Sequence, residues 1–302
     1  MDNRIEKLSR AGIYVGTSSW KYPGWKGLVY KETYPSEKAF KELSLKEYGH
    51  AFSAVGVDHS YYAAPTPTQL RLYDKQTHPD FRFVFKAPDQ VTVIQYPKLA
   101  RYGTKAGLQN PHFLDPAVLQ DTFLEPLKIL GPKTGAIVFE FSKFRTGTIE
   151  SGTAFVNQLS RFLSAIRKIT DIPLAVEIRN KNWLVADYLK VLRENHVAHV
   201  FNSWTDMPEI SEQWNRSLPF KLPFAVVRLL LKPGTAYQTA VTEFSPYDRL
   251  QILLTETRKA AARIIDESRS TNKKTYLLVN NRFEGCAPKT IEGILDLLNV
   301  IT

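Results

Sequence analysis

Two charged residues stand inside an otherwise apolar run, Glu177 and Arg179 in the segment PLAVEIR over 173–179. An ionised carboxylate in a buried strand is costly unless a partner neutralises it. Residues two apart in a strand point to the same side, so Arg179 is the expected partner. A buried carboxylate tuned in this way suits general acid/base catalysis. A salt bridge that only closes the fold is an equally good interpretation.

Two further cations end apolar runs, Lys86 in FRFVFK and Arg228 in FAVVRLL. Either side chain can hold a phosphate or carboxylate, and arginine is the better bidentate donor. We therefore predict Glu177 and Lys86 as catalytic residues, with Arg179 and Arg228 binding an anionic substrate.

Polar and aromatic residues follow several other apolar runs. Aromatic rings could stack on a sugar ring or a base, although each of them could equally cap the hydrophobic core. The additional predicted substrate-binding residues are Asp58, Asn280, Asn281, Trp20, Tyr62 and Trp183.

The sequence contains only weak evidence for a metal-binding site. Asp58, His59, Glu140 and Glu177 offer oxygen and nitrogen ligands, but adjacent strand residues such as Asp58 and His59 point to opposite faces. No H-E-x-x-H, P-loop, G-x-S-x-G or C-x-x-C pattern occurs in the sequence. We predict no cofactor, and a divalent metal is the less favoured alternative.

Eight short apolar runs must position these residues. Several are apolar almost throughout, which is typical of parallel strands buried on both faces. The runs cover 13–18, 54–59, 81–86, 135–141, 173–179, 197–202, 224–230 and 275–281. Alternation with helical segments predicts an α/β fold, a single (β/α)8 TIM-type barrel whose site lies at the C-terminal strand ends. An open doubly wound sheet is disfavoured because GTSSWKYPGW is not a G-x-G-x-x-G turn.

Helix starts are predicted where a capping residue precedes proline, at Thr66-Pro67, Asp115-Pro116 and Ser245-Pro246. Pro126 interrupts the apolar stripe that follows Asp115, which predicts a kink or break. The stretch 87–114 has no strong periodicity and predicts an irregular long loop after strand 3. Such a loop is either a functional cover or an insertion with its own small helix.

Length, charge and hydropathy limit the classes of partner and the cellular location to be expected. The chain has 302 residues, one cysteine and a formal charge of +10, which favours anionic partners and leaves nucleic acid as an alternative. No apolar run approaches the roughly 18 residues of a membrane helix, and no signal-peptide core is present, so we expect a cytoplasmic protein without membrane contact. Residues 1–10 are expected to form a polar tail and 11–302 one domain.

The chain resembles the YecE-like proteins, domain of unknown function 72, over nearly its full length. The matching stretches include GTSSWKYPGWKGLVY, VGVDHSYYAAP, FVFKAP, AVEIRNKNWL, VVRLLLKPGTAY and YLLVNNRFEGCAPKT. The resemblance implies a TIM-type barrel of unestablished role, sometimes labelled sugar-isomerase-related on fold grounds.

The resemblance also implies site residues and two departures from the family pattern. Glu177, Arg179, Asn180 and Trp183 match V-E-x-R-x-x-x-W, Lys86 matches F-x-x-K-x-P, Arg228 matches a strand-seven arginine, and Asn280 with Asn281 matches paired asparagines. The acid of V-E-x-N-S-T-F-Y is replaced by Gly56, and the glutamine of F-Q-L-P by Glu140. If either family residue were catalytic, the activity of this chain would be altered or lost.

Together these features favour an enzyme, isomerase-, lyase- or hydrolase-like, that acts on a small anionic or sugar-like substrate by general acid/base chemistry. A nucleic-acid-binding or processing barrel and a non-catalytic small-ligand binder are the alternatives.

Overall fold

A computed structural model describes residues 2–144 and 147–301. Its centre is a closed barrel in which each strand pairs in parallel with the next and the last strand returns to the first. The strands are β1 Ile13–Thr17, β2 Ala54–Val57, β3 Arg82–Lys86, β4 Thr134–Phe141, β5 Leu174–Ile178, β6 Ala198–Ser203, β7 Ala225–Leu229 and β8 Thr275–Val279. The predicted (β/α)8 barrel is confirmed, and each predicted run overlaps one strand.

Helices connect the strands around the outside of the barrel. They are α1 Asn3–Arg10, α2 Glu37–Leu43, α3 Leu45–Ala51, α4 Pro67–Gln76, α5 Asp89–Thr92, α6 Pro116–Leu119, α7 Glu125–Leu127, α8 Gly152–Arg167, α9 Ala186–Glu194, α10 Ile210–Ser217, α11 Tyr237–Phe244, α12 Thr255–Ser270, α13 Asn281–Glu284 and α14 Ala287–Ile301. None of the helices in the described ranges has the length and apolar character needed to cross a membrane.

The strands are buried on both faces. One face lines a hydrophobic cluster inside the barrel, and the other packs against a second hydrophobic cluster beneath the helices. Val84, Val138, Val200, Val226 and Leu278 belong to the inner cluster, one from each of five strands. The alternate residues join the larger cluster between barrel and helices. The period of two therefore fixes which side chains point inward, and the next inward position on each strand lies at its C-terminal end.

Two of the three predicted helix starts are confirmed. Thr66 forms a capping box with Gln69, and the Asp115 carboxylate accepts hydrogen bonds from the N–H groups of Ala117 and Val118. The third start was wrong. Ser245-Pro246 is a cis peptide in a loop, and the next helix begins only at Thr255.

The predicted break at Pro126 is also confirmed. The helix that follows Asp115 gives way to a π-helical turn at Gln120–Leu124, and only three residues of α-helix follow. Proline has no N–H to donate, and its ring clashes with the preceding turn, which accounts for the wider turn before it.

The N-terminal segment is not the tail that its polarity suggested. Asn3–Arg10 is a helix capped by the Asp2 side chain, and its Ile5 and Leu8 are buried in the main core cluster. These two apolar residues, three positions apart, give one buried face to an otherwise charged segment, and that face anchors the helix on the barrel.

The segment 87–114 is irregular, as predicted, but ordered by its own contacts. It contains α5 and a 3-10 helix at Ala100–Lys105, and backbone hydrogen bonds pair Tyr96 with both Gly107 and Leu108. The Asn110 amide donates to two backbone carbonyl oxygens of the segment at 2.7 Å each. We call residues 87–114 the β3 loop.

Candidate functional site

Six charged side chains meet at the C-terminal end of the barrel. Each lies on, or within one residue of, a strand end, and together they carry three carboxylates and three cations. We call them the mouth cluster: Asp58 after β2, Lys86 on β3, Glu140 on β4, Glu177 on β5 with Arg179 just beyond it, and Arg228 on β7.

Arg228 is the centre of the mouth cluster. Its Nη2 lies 2.8 Å from both carboxylate oxygens of Asp58, and its Nη1 contacts Glu177 Oε2 and, at 3.3 Å, Glu140 Oε2. Burial alone would lower the pKa of this guanidinium, but the three carboxylates raise it above its ordinary value. Arg228 is therefore a fixed positive charge that holds acids from three strands.

Glu140 and Glu177 are neighbours in the strand register, so their like charges must be compensated. Arg179 Nη2 supplies this compensation, at 3.0 Å from Glu177 Oε1 and 2.9 Å from Glu140 Oε2. Lys86 Nζ adds a contact of 2.5 Å to Glu140. Burial would raise the pKa of Glu140, but Arg179, Lys86 and Arg228 together hold it well below its ordinary value.

The mouth cluster bonds only to itself. Within residues 2–144 and 147–301, none of its side chains makes a hydrogen bond to a backbone group. It caps no helix and fastens no loop. Buried ion pairs are a poor source of net stability, so the fold alone does not account for this arrangement.

The mouth cluster has a sealed interior and an edge that reaches solvent. The Glu177 side chain is 0% exposed, whereas those of Lys86 and Asp58 are 13% and 26% exposed. Arg179 is also at the edge, where its guanidinium carbon lies 3.7 Å from the centre of the Trp204 ring. Arg179 Nη1 donates to no group in the described ranges. The edge thus keeps donors for a ligand.

The structure separates the predicted aromatic residues. Trp20 and Trp183 are buried, the former edge-on to Tyr73 and the latter stacked on Phe144 and Phe155, so they support the site rather than forming open walls. Tyr62 is 59% exposed. The ring against Arg179 belongs instead to Trp204, which the sequence analysis missed. Its position two residues after Asn202, at the end of a predicted strand, was the available signal.

The paired asparagines hold the chain after β8. Asn280 Oδ1 accepts a hydrogen bond from the Arg282 N–H, and Asn281 Oδ1 accepts one from the Ala287 N–H at 2.8 Å. Both amide oxygens are therefore committed to backbone groups at the starts of α13 and α14. Their predicted contact with substrate stays a prediction.

The residues considered for a metal do not form a metal centre. Among the residues that the structure describes, no group of three or more histidine, cysteine or acidic side chains is placed to hold an ion. Three carboxylates converge, but they surround the Arg228 guanidinium. His59 is turned toward Tyr73, and burial with the nearby Lys21 lowers its pKa to about 4, against the opposing effect of Asp58.

The two departures from the family pattern have different consequences in space. Glu140 is a full member of the mouth cluster, in contact with all three of its cations. Gly56 is tightly enclosed, because a Cβ atom there would lie 3.1 Å from the Ser18 Cα and 3.3 Å from its carbonyl oxygen. An acid at position 56 would require the backbone at Ser18, just after β1, to move by a few tenths of an ångström.

The fold and this site define a parallel α/β barrel with a polar, charged mouth. The chain belongs to the family described as protein of unknown function DUF72, whose model matches residues 14–301. The UPF0759 protein YecE of Escherichia coli strain K12 is 32% identical over 80 residues. That alignment covers 26% of this chain and only 25% of YecE. The predicted resemblance is confirmed.

Solved structures of the family share the fold. A DUF72 family protein from Enterococcus faecalis V583 has a TM-score of 0.63 at 17% identity, covering 95% of both chains. Another from Thermotoga maritima MSB8 has a TM-score of 0.57 at 20% identity, covering 96% of this chain and 98% of that one. At these identities the likeness shows the fold alone.

Proposed function

We propose that this protein is an enzyme that acts on a small anionic substrate by proton transfer at the mouth of the barrel. The observation that carries the proposal is the mouth cluster, which is buried at a cost and yet fastens no backbone group. Perturbed, desolvated charge networks of this kind are more common at functional sites than elsewhere, and barrel enzymes work at this end of the strands.

The substrate anion is assigned to the donors at the edge. Lys86 is held by Glu140 at 2.5 Å but lies 3.9 Å from Asp58, and Arg179 has an unused Nη1. A carboxylate or phosphate bound between these two cations would receive charge-assisted hydrogen bonds, which are the stronger kind. Trp20 and Trp183 are buried and cannot stack on a sugar ring from the open side of the site. The substrate is therefore defined here by its anionic group and not by a sugar ring.

Proton transfer is assigned to Lys86 and Asp58, the members with access to solvent. Glu177, predicted from the sequence as an acid or base, is 0% exposed and held by two guanidinium groups. Asp58 also accepts from Arg228, but its side chain is 26% exposed and a substrate can reach it. In this proposal Glu177 is a positioning residue that orients Arg179 and Arg228. Lys86 donates the proton to the bound substrate, and Asp58 accepts one from it.

The test is solvent-proton exchange into candidate substrates. The protein is incubated in D2O with a panel of phosphorylated and carboxylated sugars and aromatic acids, and proton NMR follows loss of carbon-bound hydrogen. We expect exchange in at least one anion, with a loss of at least about a hundredfold in Lys86→Met, in line with general acid/base contributions.

Lys259→Met is the matched control, because Lys259 is an exposed lysine on α12 that pairs only with Glu256, one turn away. It should leave exchange unchanged. Equal rates in Lys86→Met and the native protein would overturn the assigned role. Absence of both exchange and binding across the panel would overturn the proposed function.

A further inference from the structure

A cleft opens beside the mouth cluster, between the β3 loop and the chain that leaves β4. Its cavity volume is about 230 Å³. Its apolar lining comes mainly from Tyr61, Val93, Ile94, Tyr96, Pro97 and Phe144.

Three polar side chains of the β3 loop that line the cleft bond to the loop itself. The Gln95 side-chain amide donates to the Gly107 carbonyl oxygen at 2.9 Å, and the Tyr96 hydroxyl donates to Asn110 Oδ1 at 3.0 Å. The Thr92 hydroxyl donates to the Pro88 carbonyl oxygen at 3.3 Å. This wall therefore offers few free polar groups to a ligand, and the polar lining on the opposite side comes from Ser142, Lys143 and Thr148.

Tyr61 joins the cleft to the mouth cluster. Its ring lines the cleft and also lies under Lys86, whose Nζ is 5.4 Å from the ring centre. A group lying in the cleft therefore sits against the same ring that Lys86 covers. At the rim, the Lys98 side chain makes no ion pair with any residue in the described ranges, so a second ammonium group is available beside the cleft.

We infer that the cleft takes a planar aromatic ring carried by the substrate, with the anionic group of that substrate on Lys86 and Arg179. The inference rests on the proposed function, because it places the ring relative to that anion. An apolar cavity of about 150 Å³ accommodates benzene, so the volume here is sufficient for a substituted ring. Pockets with apolar and aromatic walls and a few charged groups are the usual form of small-molecule sites.

The test compares three ligands by titration calorimetry at low ionic strength: inorganic phosphate, phenyl phosphate and glucose 6-phosphate. Burial of one ring is expected to make phenyl phosphate roughly ten- to a hundredfold tighter than inorganic phosphate. Glucose 6-phosphate should bind no more than a few fold tighter than inorganic phosphate, because the apolar wall offers few partners for its hydroxyl groups.

Two variants separate the cleft from the anion site. Ile94→Trp fills the cleft and should remove the advantage of phenyl phosphate while leaving inorganic phosphate unchanged. Ile169→Trp is its matched control, since Ile169 is an exposed isoleucine just after α8 that does not line the cleft. Lys86→Met should weaken all three ligands.

The outcomes distinguish the two proposals. Equal affinity for phenyl phosphate and inorganic phosphate, both dependent on Lys86, would overturn the inference that the cleft binds an aromatic ring. The proposed anion site would still hold. Glucose 6-phosphate could gain as much affinity over inorganic phosphate as phenyl phosphate does, and Ile94→Trp could remove that gain. This result would assign the cleft to a sugar and overturn the inference. An Ile94→Trp that weakens inorganic phosphate as much as phenyl phosphate would also overturn it. Failure of all three ligands to bind would overturn the anion site and the ring together.

Discussion

Two sets of buried ionised side chains in the described part of this barrel are built differently. At the mouth, the hydrogen bonds and ion pairs found for the six charged side chains join them to one another. Near the starts of α12 and α14, Glu284 is equally buried, but it accepts hydrogen bonds from the Leu254 N–H at 2.6 Å and the Thr290 hydroxyl at 2.7 Å, as well as from Arg258.

The two sets differ in whether their buried charges hold backbone groups. Glu284 accepts from the N–H of Leu254, the residue just before α12, whose own side chain cannot cap the helix, so the buried carboxylate fixes the chain. Arg258 directs three hydrogen bonds to its two oxygens. The mouth cluster fixes no backbone and keeps donors at its edge. The partners of a buried charge are therefore more informative than its burial.

The largest predicted effect is the loss of the central cation of the mouth cluster. Arg228→Met leaves the buried Glu140 and Glu177 and the partly exposed Asp58 short of a partner, and it should lower the free energy of unfolding by about 3–5 kcal/mol. Arg258→Met should cost less, about 1–3 kcal/mol, because Glu284 keeps its donors from Leu254 and Thr290. Urea unfolding at pH 7 measures both. An Arg258→Met protein less stable than Arg228→Met would contradict the comparison.

The second prediction concerns pH. Glu140 has a pKa below its ordinary value of 4.5 in the folded protein, so below pH 4.5 the unfolded chain takes up the proton first. Its contribution to the free energy of unfolding is complete above that pH and decreases as the pH falls. Glu140→Gln should cost roughly 2–3 kcal/mol at pH 7, and the gap to the native protein should narrow toward pH 3.

Unfolding by urea at several pH values between 3 and 7 measures this gap. Glu284→Gln, which changes the carboxylate that pairs with Arg258, is measured in the same series for comparison. A gap for Glu140→Gln that stays constant over the whole range would show that its carboxylate is not held ionised by the three cations.

The strands were predictable from sequence because parallel strands buried on both faces are apolar along their length. The strand-end rule then brought Lys86, Glu177 and Arg228 to one end of the barrel without any coordinates. Sequence predicted the local pair of Glu177 with Arg179, which the structure contains, but not the pairs between distant strands. Asp58 and Arg228 are 170 residues apart, and their contact depends on the reach of two side chains across the barrel.

Local signals failed where a tertiary contact decides the structure. The charged segment Asn3–Arg10 is helical because two of its residues pack on the barrel, a contact that composition does not reveal. Glu177 was predicted either as an acid or base or as the salt-bridge partner of Arg179, and the structure contains that pair. A local signal could not reveal the second arginine, Arg228, which lies 51 residues away in sequence.

The smallest predicted effect concerns Trp204, which stacks on Arg179 at the edge of the mouth cluster. Trp204 covers the face of Arg179 at 3.7 Å, and nothing comparable covers Arg258 among the residues the structure describes. Trp204→Leu should lower the free energy of unfolding by about 1–2 kcal/mol, because the contact with the buried Arg179 is largely desolvated. It should weaken the binding of inorganic phosphate a few fold, because the Arg179 guanidinium is no longer held flat with Nη1 available. Tyr237→Leu removes the more exposed stack on Arg282, at 4.6 Å, and should cost less stability while leaving phosphate affinity unchanged. If both variants lost phosphate affinity equally, the effect would belong to the general charge of the barrel mouth, and Arg179 would have no special place in it.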